Sequence, residues 1–214
     1  QTNGIAKRFS FLRPYQREGI AHIQALHQLG CHSLLADEMG LGKTIMTIGT
    51  IMSNRVHNTL IVLPLALIDQ WKREIERTTD IVPLVWHTTT KKNIADEELA
   101  NAEIVITTYG HIQATKKKGL NIIHEIVWGR VIFDEGHHLR NPKTNKHIGA
   151  LAIKAPIRWL ITGTPMQNNL HELWALLNFL LPKIFSSADT FDQWFSAPLS
   201  SAGGGAEDAA LTEE

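Results

Sequence analysis

The sequence predicts an α/β fold: a mainly parallel β-sheet with helices on both faces. Three observations predict it. Short continuous apolar runs, such as 59–63 (TLIVL) and 131–133 (VIF), read as strands buried on both faces. Between them lie longer stretches with apolar residues every three or four positions, the spacing of amphipathic helices. The two patterns alternate along the chain, as they do where crossover helices join parallel strands.

Taken in order, Arg13-Pro14-Tyr15-Gln16 opens a helix, because Pro suits the first helical position. Ile20, Ile23, Leu26 and Leu29 recur on one side of it, and Gly30 ends it. Ser33, Leu34 and Leu35 form a short strand. The glycine-rich stretch ADEMGLGKT follows over 36–44, then a helix from Lys43 to about Asn54. Pro64 stops the strand 59–63, and Leu67, Ile68, Trp71 and Ile75 mark the next helix. A strand is expected over 82–86, a weak helix over 95–101, and a strand over 104–107. After the basic break Lys116-Lys117-Lys118-Gly119 comes the strand 131–133, running into Asp134-Glu135-Gly136-His137. A helix over 144–154 precedes a strand over 159–162. Leu170, Leu173, Trp174, Leu177 and Leu181 then give a strongly apolar helix closed by Pro182. From Ser196 the chain is rich in Gly, Ala and Ser and turns acidic, the composition of a linker. The expected division is therefore a lobe over 1–195 and a linker over 196–214.

Composition narrows the functional classes. A chain of 214 residues, 43% hydrophobic and 20% charged, can bury one sizeable core. No apolar run approaches the roughly 18 residues of a membrane span, and no signal-peptide pattern opens the chain, so no membrane partner is expected. The start lacks Met and the end is an acidic TEE, so we read the chain as a fragment. The single Cys31 excludes an intramolecular disulfide and a cysteine-cluster zinc site, and its apolar neighbours predict a packed core thiol. The net charge is zero, but no Lys or Arg follows Lys183, whereas six of the 21 acidic residues do. Residues 1–183 thus carry 21 basic and 15 acidic side chains, an excess that permits a polyanion partner. The 11 histidines include adjacent His137 and His138, whose side chains would diverge on a helix or strand, and no spaced partner completes a metal site. Most of the Trp residues, Trp71 and Trp174 among them, fall where core packing is the default.

The chemistry is concentrated in two places. Strand, glycine loop, Lys-Thr and helix form an arrangement that holds nucleotide phosphates on backbone N–H groups and a helix N-terminus. Lys43 can neutralise phosphate charge, and the Thr44 hydroxyl is placed to hold Mg²⁺. The general pattern has Gly at the position of Asp37. A phosphate loop also needs a carboxylate at the end of a neighbouring buried strand, and Asp134 supplies it. Glu135 could orient and deprotonate an attacking water.

Together DEMGLGKT, DEGH and LITGTPMQNNLHELWALLNFLLP (160–182) resemble the SWI/SNF-type helicase-like ATPases of superfamily 2. The resemblance covers residue 12 to about 200, with the motifs in family order. It implies a RecA-like P-loop NTPase lobe, the first of two, that uses ATP and Mg²⁺. In that family Asp37 is the usual residue, and Asp37, Glu38, Met39, Gly40, Leu41, Gly42, Lys43 and Thr44 form the nucleotide-binding loop. LRPYQREG (12–19) resembles the adenine-reading segment, with Gln16 at the contacting position. Asp134 and Glu135 map onto the Mg²⁺ carboxylate and the catalytic base, and Asp134, Glu135, Gly136 and His137 onto the DEAH-type box. Gly136 stands where the commonest box has Ala. Thr162, Gly163 and Thr164 map onto the segment coupling hydrolysis to DNA movement.

The same resemblance implies duplex, nucleosomal DNA as partner, a second RecA-like lobe that supplies arginine fingers, and a nuclear location. LIVLPLALIDQWKREI (60–75) and IVITTYG (104–110) resemble segments that touch the DNA tracking strand. Pro64, Thr107, Thr108 and, in the basic break, Lys117 are the DNA-contact candidates. Tyr109 could stack on a base or anchor its loop. The stretch 182–199 and the acidic tail resemble the nucleosome-sliding branch. The front half, with VLPLALIDQW, more closely resembles DNA-repair and transcription-termination translocases. A non-catalytic DNA- or chromatin-binding module with a vestigial nucleotide site is the reading from a different class.

Overall fold

The computed structural model describes residues 9–114, 119–166 and 170–196. Helix α1 (Pro14–Gln28) begins with Pro at its first turn, and the Gln16 side chain caps it by accepting from the Arg13 backbone N–H. It leads to β1 (Ser33–Leu35), the glycine loop and α2 (Lys43–Ser53). β2 (Thr59–Leu63) runs through a 3₁₀ turn at Leu65–Leu67 into α3 (Ile68–Thr78). The two-residue β3 (Leu84–Val85), α4 (Asp96–Asn101) and β4 (Ile104–Thr108) follow. Next come α5 (Ile122–Glu125), β5 (Arg130–Asp134), a 3₁₀ turn at Gly136–Leu139 and α6 (Asn145–Ala152). β6 (Arg158–Ile161), α7 (Leu170–Leu180), α8 (Ala188–Phe191) and a π-helical turn at Asp192–Ser196 complete the described residues.

The six strands form one sheet in the order β1-β6-β5-β2-β4-β3, and every neighbouring pair is parallel. Side chains along a strand alternate between faces, so a continuous apolar run feeds two cores. Ile61, Ile106, Ile132 and Trp159 join one core, beneath α1, α2 and α3. Leu60, Val62, Val105, Val131 and Phe133 join the other with Leu99, Ile123, Ala150, Leu176 and Phe179 from α4 to α7. Helices therefore cover both faces, as the sequence predicts.

Two expectations fail locally. The strand over 82–86 shrinks to Leu84–Val85 at the sheet edge. Pro83 has no N–H to give a ladder, and Val82 is exposed. Cys31 is exposed, not packed. Gly30 takes φ +70 to end α1, and this turn carries Cys31 past the core. The expected 196–214 linker, apart from Ser196, and the DNA-contact candidate Lys117 lie outside the described residues.

Close packing fixes α6 against the segment after β4. A Cβ at Gly149 would overlap the Ile112 carbonyl oxygen and meet the Ala114 nitrogen at 2.9 Å. His147 on the same helix is buried and donates from Nδ1 to the Leu139 carbonyl at 2.7 Å. At the start of β5, Arg130 is fully buried with its guanidinium 4.4 Å from the Trp159 ring centroid. Burial pushes its pKa down to about 9.

Candidate nucleotide site and its neighbouring cleft

Parallel pairing puts the carboxyl ends of the strands on one rim, where α/β sheets bind ligands. Leu35 at the end of β1 pairs with Ile161 on β6, and Ile161 pairs with Asp134 at the end of β5. The glycine loop, Thr162 and Glu135 therefore leave the sheet side by side. Thr162 is tied to the rim through its N–H, which donates to the Leu35 carbonyl at 3.0 Å. Its hydroxyl accepts from the Thr164 N–H at 3.2 Å. A cleft of about 420 Å³ opens over this rim, lined by Met39, Gly40, Gly42, Lys43, Thr44, Asp134 and Glu135 together with Trp71 and Glu74 of α3.

The loop holds itself in shape. Gly40 and Gly42 adopt φ +87 and +82, a left-handed conformation that suits glycine. Lys43 Nζ donates to the carbonyls of Asp37 at 2.8 Å and Glu38 at 2.9 Å. Gln16 reaches across from α1, donating from Nε2 to the Leu41 carbonyl at 3.1 Å while its Oε1 caps Arg13 N–H at 3.0 Å. Gln16 is thus brought to the loop. Gly163 lies against the same loop: a Cβ there would stand 2.9 Å from Met39 Cγ and 3.6 Å from Lys43 Nζ.

Asp134 is almost entirely buried, and both its carboxylate oxygens are held. Oδ2 accepts from the Trp71 indole N–H at 2.7 Å, and Oδ1 accepts from the Glu135 backbone N–H at 2.9 Å. Burial raises its pKa, opposed chiefly by the Trp71 bond; the Glu135 charge raises it further, and Lys43 lowers it. Glu135 has φ 52, the one non-glycine residue with positive φ among the described residues. Such a residue stores on the order of 1–3 kcal/mol of backbone strain, and the surroundings must hold it there. Its Oε2 stands 3.0 Å from His137 Nδ1, at ion-pair distance but not aligned as a hydrogen bond. A Cβ on Gly136 would meet Leu160 Cδ2 at 3.0 Å, so the commoner Ala would fit here only tightly.

The donor set suits a magnesium–nucleotide pair. A hard cation takes oxygen ligands, and Asp134 and Thr44 present oxygen at the same cleft as the Lys43 ammonium. Glycine backbone and the N-terminal turn of α2 complete the anion-binding wall.

Three more residues matter here: Trp71 and Tyr109, whose bonds to Asp134 motif reading did not foresee, and Arg140, which it did not name. Trp71 packs in the core as expected, yet its N–H also fixes Asp134. Tyr109 is buried and donates its hydroxyl to the Asp134 carbonyl at 2.8 Å, so it anchors its loop. Arg140 donates from Nη2 to the Thr164 carbonyl at 2.5 Å and to its hydroxyl at 2.8 Å, joining the DEGH turn to the 162–164 segment.

A second, larger cleft of about 1040 Å³ adjoins the ends of β2, β3 and β4. Leu65, His87, Lys91, Thr108, Tyr109 and Lys146 are among the residues lining it. Thr108 lies at this cleft, with Pro64 one residue past its strand partner Leu63. Thr107 does not join them. It is fully buried and its hydroxyl donates to the Trp86 carbonyl at 2.9 Å, so no side-chain surface remains for DNA.

Residues 15–213 match the model of the SNF2-related domain. The chain belongs to the SNF2-related family. Its SNF2-family relatives include the chromatin structure-remodeling complex protein SYD of Arabidopsis thaliana, 36% identical over 95% of this chain and 6% of that protein. Nuclear protein STH1/NPS1 of Saccharomyces cerevisiae is 36% identical over 95% of this chain and 15% of its own length. The ISWI chromatin-remodeling complex ATPase CHR17 of Arabidopsis thaliana is 37% identical over 86% of this chain and 18% of its own. The chain thus spans less than a fifth of each. Among solved structures, the Sulfolobus solfataricus SWI2/SNF2 ATPase core in complex with dsDNA matches with a TM-score of 0.76 and 29% identity. That match covers 89% of this chain and 40% of the Sulfolobus chain. The fold is therefore that of an SNF2-family ATPase lobe, the RecA-like P-loop lobe expected from the motifs.

Proposed function

We propose that this chain is the ATP-binding first lobe of a nuclear, DNA-dependent ATPase that moves along duplex DNA and remodels chromatin. One observation carries the reading: the glycine loop and the Asp134–Glu135 pair open onto one cleft at the carboxyl rim, with Gly163 packed against the same loop, and a second cleft at the ends of β2, β3 and β4 bears the DNA-contact candidate Thr108. The loop 37–44 binds the phosphates, with Lys43 exchanging its loop carbonyls for phosphate oxygens, and Gln16 reads the adenine. Thr44 and Asp134 would hold a magnesium ion, which would supply positive charge against the nucleotide phosphates. Glu135 orients the attacking water and takes its proton. His137 supports Glu135, and Thr162, Gly163 and Thr164 link the cleft to DNA movement. Duplex DNA, nucleosomal in the intact protein, lies against Pro64 and Thr108. The names of SYD and CHR17 both support chromatin as the setting.

Phosphoryl transfer also needs positive charge opposite the loop. Lys43 is the one cation among the described residues lining the cleft, so a second lobe supplies the rest. The test compares 1–214 with the full-length protein. The 214-residue chain binds ATP weakly and turns it over poorly, whereas the full-length protein hydrolyses ATP under DNA stimulation and loses activity on Lys43→Ala. Full DNA-stimulated turnover by 1–214 alone, abolished by Lys43→Ala, overturns the two-lobe reading.

A further inference from the structure

The peptide unit joining Asp134 to Glu135 is clamped from two directions. Its carbonyl oxygen accepts the Tyr109 hydroxyl at 2.8 Å, and its N–H donates to Asp134 Oδ1 at 2.9 Å. The other carboxylate oxygen, Oδ2, accepts from Trp71 at 2.7 Å. This peptide sets both the direction of the Asp134 carboxylate and the left-handed turn at Glu135, φ 52. Tyr109 comes from a segment that walls the second cleft, whereas Trp71 lines the first cleft on a helix whose leading turn reaches the second. Tyr109 lines that cleft itself, beside Thr108 and Gly110. Trp71 lies on α3, whose leading 3₁₀ turn begins at Leu65, another residue of the cleft wall. Leu65 and Trp71 are six residues apart in nearly continuous helix, roughly 10 Å of stiff rod.

We propose that Trp71 and Tyr109 are positioning residues that carry occupation of the second cleft to the Asp134–Glu135 pair. The inference rests on the reading that the first cleft takes ATP with magnesium and the second takes duplex DNA. A duplex seated on Leu65 and Thr108 bears on both segments at once. Any shift of α3 or of the Tyr109 loop then moves a hydrogen-bond donor attached to Asp134. A strained turn responds to such a shift more than a relaxed one, because the surroundings hold it in place.

The test uses the full-length protein with Tyr109→Phe, which removes one hydroxyl, and Trp71→Phe, which removes the indole N–H. Binding of a fluorescent ATP analogue is titrated with Mg²⁺, with and without duplex DNA, and DNA affinity is measured separately. In the wild type, DNA lowers the Mg²⁺ concentration at half-saturation. In each variant that shift shrinks by about fivefold or more, the lower end of ordinary coupling between sites, while any loss of DNA affinity is smaller than the loss of the shift. A wild-type DNA shift in both variants overturns the proposal, because the two groups then only fill the core. Loss of DNA affinity in parallel with the shift overturns it too, by making them DNA-binding residues. If Trp71→Phe fails to fold, Tyr109→Phe decides alone. A wild-type protein that binds no ATP, or whose Mg²⁺ dependence ignores DNA, defeats the underlying reading and is recognised before any variant is made.

Discussion

Gly42→Ala tests how the glycine loop is held, with Gly40→Ala as its internal control. Both glycines sit at positive φ, +82 and +87, so an alanine at either costs about 1–2 kcal/mol of backbone energy. They differ in what the new methyl meets. At Gly40 nothing lies within 4 Å; at Gly42 the methyl would overlap Gln16 Nε2 and touch Ile45 Cγ2 at 3.1 Å. Gln16 must then withdraw, breaking its bond to the Leu41 carbonyl and its cap on Arg13. Each bond is worth about 0.5–1.5 kcal/mol, toward the low end because the groups are exposed. Gly42→Ala should therefore be less stable than Gly40→Ala by about 1–2 kcal/mol. For a chain of this length that is a further fall in Tm of about 2–8 °C. The assay is urea unfolding of the 214-residue chain with both alanine variants and the wild type, the m-value unchanged throughout. Equal stabilities of the two variants, within about 0.5 kcal/mol, would refute the argument that Gln16 braces the loop.

Other consequences can be checked separately. Gly→Ala inside a helix ordinarily stabilises by about 1 kcal/mol, but Gly149→Ala should destabilise by about 1–3 kcal/mol, because its methyl overlaps the Ile112 carbonyl; calorimetry shows the sign. His27, His32, His138 and His147 all have pKa values lowered mainly by burial, so the fold prefers them neutral. Their contribution to stability is complete above the ordinary histidine value of 6.5 and is lost as pH falls through the lower folded values. Unfolding free energy should therefore drop between about pH 7.5 and pH 5.5, and the slope should be shallower in His147→Gln; an equal slope would clear His147 of that role.

Local signals explain what the sequence made legible. Runs such as TLIVL at 59–63 have apolar side chains on both faces, which only a doubly covered sheet accommodates. The glycine loop and the DEGH turn are contiguous in sequence, so their chemistry can be read without knowing the fold. Trp71 and Asp134 are 63 positions apart, and Tyr109 and Asp134 are 25 apart, so nothing local in sequence announces either bond. A buried indole N–H does need an acceptor, and that rule could have prompted a search for one. Thr107 and Thr108 are both buried, but the Thr107 hydroxyl is spent on the Trp86 carbonyl, whereas Thr108, the last residue of β4, lines the second cleft. A motif names both residues; only the fold separates them. β3 and Cys31 failed for related reasons, since Pro83 and the turn at Gly30 outweighed the apolar character around them.

In the proposed function Glu135, held in its strained turn beside Asp134, takes the proton from water during ATP hydrolysis. The most direct measurement is duplex-DNA-stimulated ATP turnover by the full-length protein carrying Glu135→Gln, with ATP binding measured alongside. ATP binding should persist while stimulated turnover falls by about 100-fold or more, the ordinary worth of a general base. Turnover within a few-fold of wild type would contradict it.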